Sequence, residues 1–440
     1  MHSLVVNDHL ILRGEVLHFL ADPGPEDNPA AWQHWPDGYV SIIAGKVAAV
    51  GEWSALAPTS LASAVVHDHR GKLILPGLVD THLHYPQVGI IGAFGRQLLD
   101  WLNDYTFPAE MQFADPELAQ RTAVFVLDQL LAHGTTTAAV FASVHPVSVD
   151  AFMSEALQRN MRVLCGKVLM DRHAPMALLD SAETGAQQSA DLIARWHGKG
   201  RLGYAITPRF APTSTPAQLQ LAGELYASRP DLYVQSHLAE NCRELAWVES
   251  LFPGRRDYLD VYQHYGLVGP RTIYGHAIHV SPAQRQRLAE AGAAVAFCPT
   301  SNLFLGSGFF DHAAMLEQGV AVGLATDVGA GTSLSLIRTL GEAYKVSQAV
   351  GRPLPPLRGW YLATLGGARA LCLDDVIGNF AVGKEADCVV LDLNATPLLA
   401  FRLERATTLA ERLFALSTLG DERHVHQVYL AGCPMLSAVQ

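Results

Sequence analysis

Leu73-Ile74-Leu75-Pro76-Gly77-Leu78-Val79-Asp80-Thr81-His82-Leu83-His84 is the stretch on which the fold reading turns. Its apolar run reads as a buried strand that ends on two histidines. Residues two apart on a strand point to the same face, so both imidazoles can reach one metal ion. In a barrel of parallel strands, the strand C-termini carry the active site.

From about Leu75 to Ala381, strand and helix signals alternate. The candidate strands are Leu78–His82, Thr135–Phe141, Arg162–Met170, Leu202–Thr207, Tyr233–His237, Thr272–His276, Ala293–Phe297 and Val320–Thr326. Helical stretches such as Glu117–His133 and Ala283–Ala291 lie between them, the latter with Pro282 near its start, where a missing N–H does least harm. Eight strands alternating with helices predict an α/β fold, a (β/α)8 TIM-like barrel over residues 76–381. The chain ends read differently. Leu4–Val6, Leu10–Leu12, Tyr39–Ile43 and Lys46–Val50 are short β runs, Gly45-Lys46 suggests a hairpin turn, and Gly24–Pro36 reads as a loop. The β signature returns after the turn-like Gly383–Asp387, in Cys388–Leu391 and His426–Leu430. Residues 1–75 and 382–440 are therefore expected to pair as a small composite β-sandwich domain.

Composition narrows the function. With 49% hydrophobic and 17% charged residues, the chain can fill a large core. A formal net charge of −11 and the lack of a basic run disfavour nucleic acid as a partner. No apolar run reaches ~18 residues, so no membrane span is expected. Asp8, Arg13 and Glu15 interrupt the first apolar stretch, which argues against a signal peptide. Six scattered cysteines without a C-x-x-C pair are neither a disulfide framework nor a thiolate zinc site, and they suit a reducing cytosol.

Four strand ends carry candidate chemistry. The 19 histidines predict roughly 0.8 His-x-His pairs by chance, and there are three. His67/His69 and His424/His426 lie outside the barrel segment and are read as surface or spacer histidines; His82/His84 end a strand. His237 ends the next relevant strand, with Glu240 three residues on, where a carboxylate suits a proton shuttle. A core histidine and a helix-starting glutamate are the bland alternative. Tyr274-Gly-His-Ala-Ile-His279 offers His276 and His279, of which strand position favours His276. Asp327 ends Gly323-Leu-Ala-Thr-Asp327, although an aspartate there could equally cap a helix. His-x-His, His, His and Asp at successive strand ends form a ligand set that zinc favours.

These strand ends resemble those of the amidohydrolase superfamily, whose members carry His-x-His after strand 1, His after strands 5 and 6, and Asp after strand 8. The resemblance covers essentially the whole chain. Within the superfamily the chain is similar to the guanine deaminases in Pro76–Gln87, Leu98–Leu102, Tyr105-Thr-Phe-Pro-Ala-Glu110, Pro208-Arg-Phe210, Ser236–Asn241 and Cys298-Pro-Thr-Ser-Asn302. It implies one zinc per chain, held by His82, His84, His237 and Asp327. It also implies guanine as a small-molecule substrate, bound by Gln87, Arg209 and Phe210 together with His84, His237, Glu240 and Asp327. Arg209 can donate to the O6 and N7 edge of guanine, Gln87 offers a donor and an acceptor, and Phe210 gives an apolar face. The implied reaction is hydrolysis of guanine to xanthine and ammonia. In it Asp327 takes the proton of the attacking water, Glu240 protonates a ring nitrogen, and His276 stabilises developing charge or orients the hydroxide. Two-metal members bridge their ions with a carboxylated lysine after strand 4. Arg162–Met170, read as that strand, ends near Met170-Asp171-Arg172 with Lys167 inside it, so a single zinc is expected. The resemblance further implies a homodimer. An 8-oxoguanine, pterin or triazine substrate stays open, and His173 and Tyr85 have no assigned role.

Overall fold

The computed structural model describes residues 9–95 and 97–435. It opens with β1 (His9–Phe19), β2 (Trp32–Ile43), β3 (Lys46–Glu52) and β4 (Val65–Pro76). The central strands are β5 (Leu78–His84), β6 (Thr135–Phe141), β7 (Arg162–Gly166), the short β8 (Val168–Leu169), β9 (Leu202–Pro208), β10 (Tyr233–Leu238), β11 (Thr272–His276), β12 (Ala294–Phe297) and β13 (Ala321–Leu324). The chain returns through β14 (Cys388–Leu391), β15 (Val425–Leu430) and β16 (Cys433–Met435). The candidate strand Leu4–Val6 lies outside the described residues.

Eight parallel strands run in the order β5-β6-β7-β9-β10-β11-β12-β13, with β8 beside β9. The expected barrel is therefore present. Alternation along each strand separates two apolar sets. Val140, Cys165, Ile206, Val234 and Tyr274 join the large core that includes the helices. Ala139, Leu164, Ala205, Tyr233 and Ile273 form a smaller cluster of their own. The seam between β5 and the segment after β13 is closed by hydrogen bonds. Asp327 N–H donates to His82 O at 2.9 Å, and His84 N–H donates to Val328 O at 2.6 Å. Thr81 Oγ1 donates to Leu324 O at 3.0 Å.

The two chain ends build the other sheet, in one continuous order β16-β15-β14-β4-β1-β2-β3 rather than two separate ones. Its pairings are antiparallel except β1–β4. The opening stretch of sequence is thus two strands. Leu73–Pro76 pairs with β14, and Leu78–His84 starts the barrel. Gly77 makes the passage because a Cβ there would stand 2.0 Å from Thr136 Oγ1.

Several expectations need correction. Arg162–Met170 is not one strand but is interrupted at Lys167, whose buried ammonium pairs with Asp180. Nor is it the fourth strand. Only β5 and β6 precede β7 in the barrel, so the fourth is β9, which ends at Pro208 before Arg209; no lysine stands there either. The tight hairpin turn is Ala44-Gly45, with φ of 49° and 78°, because Ile43 pairs with Lys46. Two positive φ values suit the twist of a two-residue hairpin. Trp32–Pro36 is strand rather than loop, held by pairs such as Phe19 with Trp32. His69 and His424 are buried instead of lying at the surface. His69 Nε2 and His67 Nδ1 both lie 2.8 Å from the Tyr429 hydroxyl.

Ion pairs fasten the two sheets at the N-terminal end of the barrel strands. Arg162 and Arg201 both bind Glu385, and the buried Arg201 also binds Asp387. Removing one partner strands a buried charge and typically costs ~3 kcal/mol or more, whereas replacing both can cost far less. Arg201→Leu should therefore lower the thermal midpoint more than the Arg201→Leu/Asp387→Leu pair does, as calorimetry can measure. A second check concerns His18, buried in β1. Its Nδ1 accepts from Phe380 N–H at 3.2 Å and its Nε2 lies 3.0 Å from Gln33 Oε1, the pattern of a neutral ring. Burial pushes its pKa down to about 4. The unfolded chain, with its ordinary value near 6.5, then binds more protons as pH falls. The His18 contribution to stability should be constant above about pH 6.5 and decline from there towards pH 4, so acid destabilisation should be shallower in His18→Gln.

Candidate active site

Five candidate donors converge at the C-terminal mouth of the barrel. His82 and His84 close β5, His237 is the penultimate residue of β10, His276 ends β11, and Asp327 follows β13. All five are buried or nearly so, His237 being the least enclosed. His82 Nε2 lies 3.3 Å from Asp327 Oδ1, and His84 Nε2 lies 3.6 Å from the same oxygen. His84 and His237 bring their Nε2 atoms to 3.1 Å. Four donors about 2.1 Å from one tetrahedral ion stand about 3.4 Å apart, so this spacing fits a metal. His82, His237, His276 and Asp327 also present one donor each within 4.8 Å of one another. His82 Nε2 is buried without a hydrogen-bond partner among the described residues. Such an orphaned buried nitrogen is expensive unless something absent from the structure engages it. The residues present therefore fit a metal.

Local structure aims each group. His237 Nδ1 lies 2.6 Å from Arg209 O, which leaves Nε2 as the free lone pair. His276 Nδ1 lies 2.8 Å from Asn302 Oδ1, turning Nε2 to Glu240 Oε2 at 3.4 Å and Asp327 Oδ2 at 3.6 Å. His276 and Asp327 have φ of 70° and 49°, a strained left-handed backbone of the kind that gathers at functional sites. Asp327 caps no described helix, since the next one, Leu336–Val350, is capped by Ser335. Glu240 precedes the helix Cys242–Leu251 rather than starting it, and accepts from Ser307 Oγ at 2.9 Å.

Electrostatics divide these groups by role. Burial holds the His82, His84 and His237 rings below their ordinary pKa, so they are neutral and ready to donate lone pairs. Burial also opposes charge on His276, but the facing carboxylates of Glu240 and Asp327 outweigh it and raise its pKa. Asp327 is buried too, yet His276 and His82 hold it far below the usual carboxylate range. Burial lifts Glu240 to about 7 despite His276 beside it. A carboxyl that holds a proton near neutral pH is a competent general acid.

The mouth opens into a cavity lined by His84, Gln87, Arg209, Phe210, His237, Glu240, His276 and Asp327 among others. The expected site residues are thus brought together, with His82 just behind the others. Leu98, Trp101 and Leu102 add apolar lining and Thr106 a hydroxyl; all four sit inside stretches that carry the resemblance but have no role assigned from it. Three supporting residues were also missed. Asn302 and Glu110 sit inside stretches singled out for their resemblance. Asp80 accepts from Thr326 N–H at 3.0 Å across the seam and from His82 N–H at 3.3 Å. His279 does not reach the site; its Nε2 lies 2.8 Å from Ser307 O. His173 Nδ1 binds Pro212 O at 2.8 Å, and Tyr85 is a core residue donating to Ser148 O at 2.7 Å.

Residues 73–434 match the amidohydrolase family model, so the chain belongs to the metal-dependent amidohydrolase family. Similar relatives within that family include guanine deaminases. The Escherichia coli guanine deaminase is 50% identical over 408 residues, 93% of each chain. The E. coli guanine deaminase structure superposes with a TM-score of 0.94 at 48% identity, covering 97% of this chain and 99% of that one. A Clostridium acetobutylicum guanine deaminase with guanine bound has a TM-score of 0.88 at 30% identity, covering 97% and 100%. A Xanthomonas campestris adenosine deaminase with zinc bound has a TM-score of 0.83 at 25% identity, covering 97% and 92%.

Gly275 lies directly beneath His82, where a Cβ would stand 2.8 Å from the ring carbon Cε1. Gly275→Ala should push that ring off line while leaving the strand backbone unstrained. We expect the folded variant to hold metal about tenfold more weakly than the parent, read by titration with a competing chelator.

Proposed function

We propose that this chain is a zinc hydrolase that converts guanine to xanthine and ammonia, with one ion per chain on His82, His84, His237 and Asp327. The observation that carries the reading is the convergence of these donors beside a cavity that Arg209, Gln87 and Phe210 also line. The guanine deaminase relatives support the substrate.

Zinc in such a site supplies a Lewis acid that makes water nucleophilic near neutral pH. The chain's own residues do the rest. Arg209 and Gln87 orient the flat ring through its polar edge, and Phe210 packs its face. Asp327 accepts a proton from the attacking water. Glu240, protonated near neutrality, gives a proton to the ring nitrogen beside C2 and makes that carbon more electrophilic. His276, anchored by Asn302 and facing both carboxylates, steadies the charge that develops as water adds. The carboxylates return a proton to the amino group, and ammonia leaves C2. The apolar wall of Leu98, Trp101 and Leu102 shields these transfers from bulk water.

His276 is assigned to charge rather than to the metal on the family resemblance, its Nε2 facing both Glu240 and Asp327. Metal retained in His276→Ala and lost in His84→Ala supports that division. The proposal extends to a homodimer, on the family resemblance, and to a reducing cytosol, on six cysteines that are all unpaired. Among the described residues no helix is long and apolar enough to cross a membrane.

The direct test is ammonia release from metal-quantified protein given guanine, adenine, cytosine, 8-oxoguanine and a triazine. Turnover of guanine alone, with one zinc per chain and loss on chelation, is expected. Turnover of another amino-heterocycle with silence on guanine would replace the substrate and keep the metal site. Glu240→Gln should lose ~100-fold or more in kcat with zinc still bound; near-normal turnover removes Glu240 from the scheme.

A further inference from the structure

We propose that Glu110, a buried carboxylate behind the cavity wall, is a positioning residue that sets the hydrogen-bonding polarity of the pocket and thereby selects a ring with an oxo group beside an N–H. This inference rests on the proposed guanine reading and deepens it.

Glu110 is fully buried and does not line the cavity. Its Oε1 accepts from Gln87 Nε2 at 2.9 Å and from Arg209 Nη1 at 2.9 Å, and its Oε2 accepts from the same Nη1 at 2.8 Å. Phe107, three residues earlier on the short helix Phe107–Met111, lies under the same guanidinium, with 5.6 Å from Cζ to the ring centroid. Residues three apart share a helix face, so one turn supplies both the carboxylate and the aromatic platform for Arg209. That turn lies in the Tyr105–Glu110 stretch.

The consequence follows from what a carboxylate can do. It accepts and does not donate, so it fixes which end of the Gln87 amide faces it. The NH2 group turns inward to Glu110. The amide oxygen then has only the Gly329 N–H near it, at 3.4 Å, and keeps acceptor capacity. Arg209 spends Nη1 on Glu110, while its Nε and Nη2 donors have no protein partner among the described residues. The two cavity-lining side chains therefore offer a donor from Arg209 beside an acceptor from Gln87. This pattern complements a C6 oxygen next to an N1–H. A ring with an unprotonated N1 would set two acceptors against each other, and a site built for a hydrogen bond rejects the ring that lacks it.

Glu110→Gln tests the inference. An amide at 110 can present either end to Gln87, so the Gln87 amide is no longer locked. The kcat/KM ratio for guanine over 2-aminopurine, which lacks the oxygen and the N1–H, should fall about tenfold or more, with KM for guanine rising more than kcat falls. Glu110→Asp, which keeps the acceptor-only group, should preserve the preference. Gln87→Met, which removes the oriented amide, should abolish it and reads the same polarity if Glu110→Gln does not accumulate folded. Parent protein that turns over guanine, with the ratio unmoved in Glu110→Gln and Gln87→Met or with kcat falling equally on both rings at constant KM, overturns this inference alone. Parent protein silent on guanine overturns both it and the functional reading beneath it.

Discussion

The seam between β5 and the segment after β13 decides where the chemistry lies. A barrel of eight parallel strands has to close, and here the last contacts are Asp327 N–H to His82 O and His84 N–H to Val328 O. The carbonyl and amide that close the ring belong to the same residues whose side chains enter the mouth. Asp80 reinforces the seam by binding Thr326 through both backbone and hydroxyl. Closure and donor placement are one set of hydrogen bonds, so any ion held there is held across the join. His237 and His276 then approach from β10 and β11, on the far side of that join, and complete the ring of donors.

Buried charge around the cavity is arranged in layers. Nearest the mouth, Asp327 faces His82, His84 and His276, and Glu240 faces His276 and Ser307. Glu244, which also lines the cavity, accepts from the Glu240 and Asn241 amides and from the Tyr258 hydroxyl, and one step back Glu110 holds Arg209 and Gln87. A charge taken out of water is costly unless it is paired or hydrogen-bonded. These carboxylates meet that requirement with partners that also fix their orientation. Arg209 joins the layers, since its backbone carbonyl steers the His237 ring while its side chain lines the cavity.

Much of this was legible in the sequence for a definite reason. The barrel strands are apolar runs bounded by turn residues, and the candidate donors stand at their ends, so periodicity and position pointed the same way for His82, His84, His237, His276 and Asp327. The β6 and β11 boundaries agree with the expectation residue for residue. Errors arose where tertiary contacts override local signals. Lys167 interrupts an apolar run because Asp180 waits for its ammonium, and Trp32–Pro36 is drawn into a strand by pairing with β1. His69 and His424 look like surface residues until sheet packing covers them. Leu98, Trp101 and Leu102 sit in a stretch that carries the resemblance, but apolar side chains give no chemical signature, and only the fold brings them to the cavity.

The passage through Gly77 has a consequence for how the molecule is made. β4 and β5 are nearly one continuous strand, yet Leu73–Pro76 has its partners in β14, over three hundred residues further along the chain. During synthesis the strand bearing His82 and His84 precedes β14, so the sheet that braces its entry is incomplete until β14 leaves the ribosome. Contacts of such sequence separation form late because the closure entropy must be met first. The metal-ligand candidates on β5 are therefore made long before the strand that braces their entry. Until then a nascent chain exposes apolar strand edges and unsatisfied histidines together, a state in which encounter with other chains competes with closure.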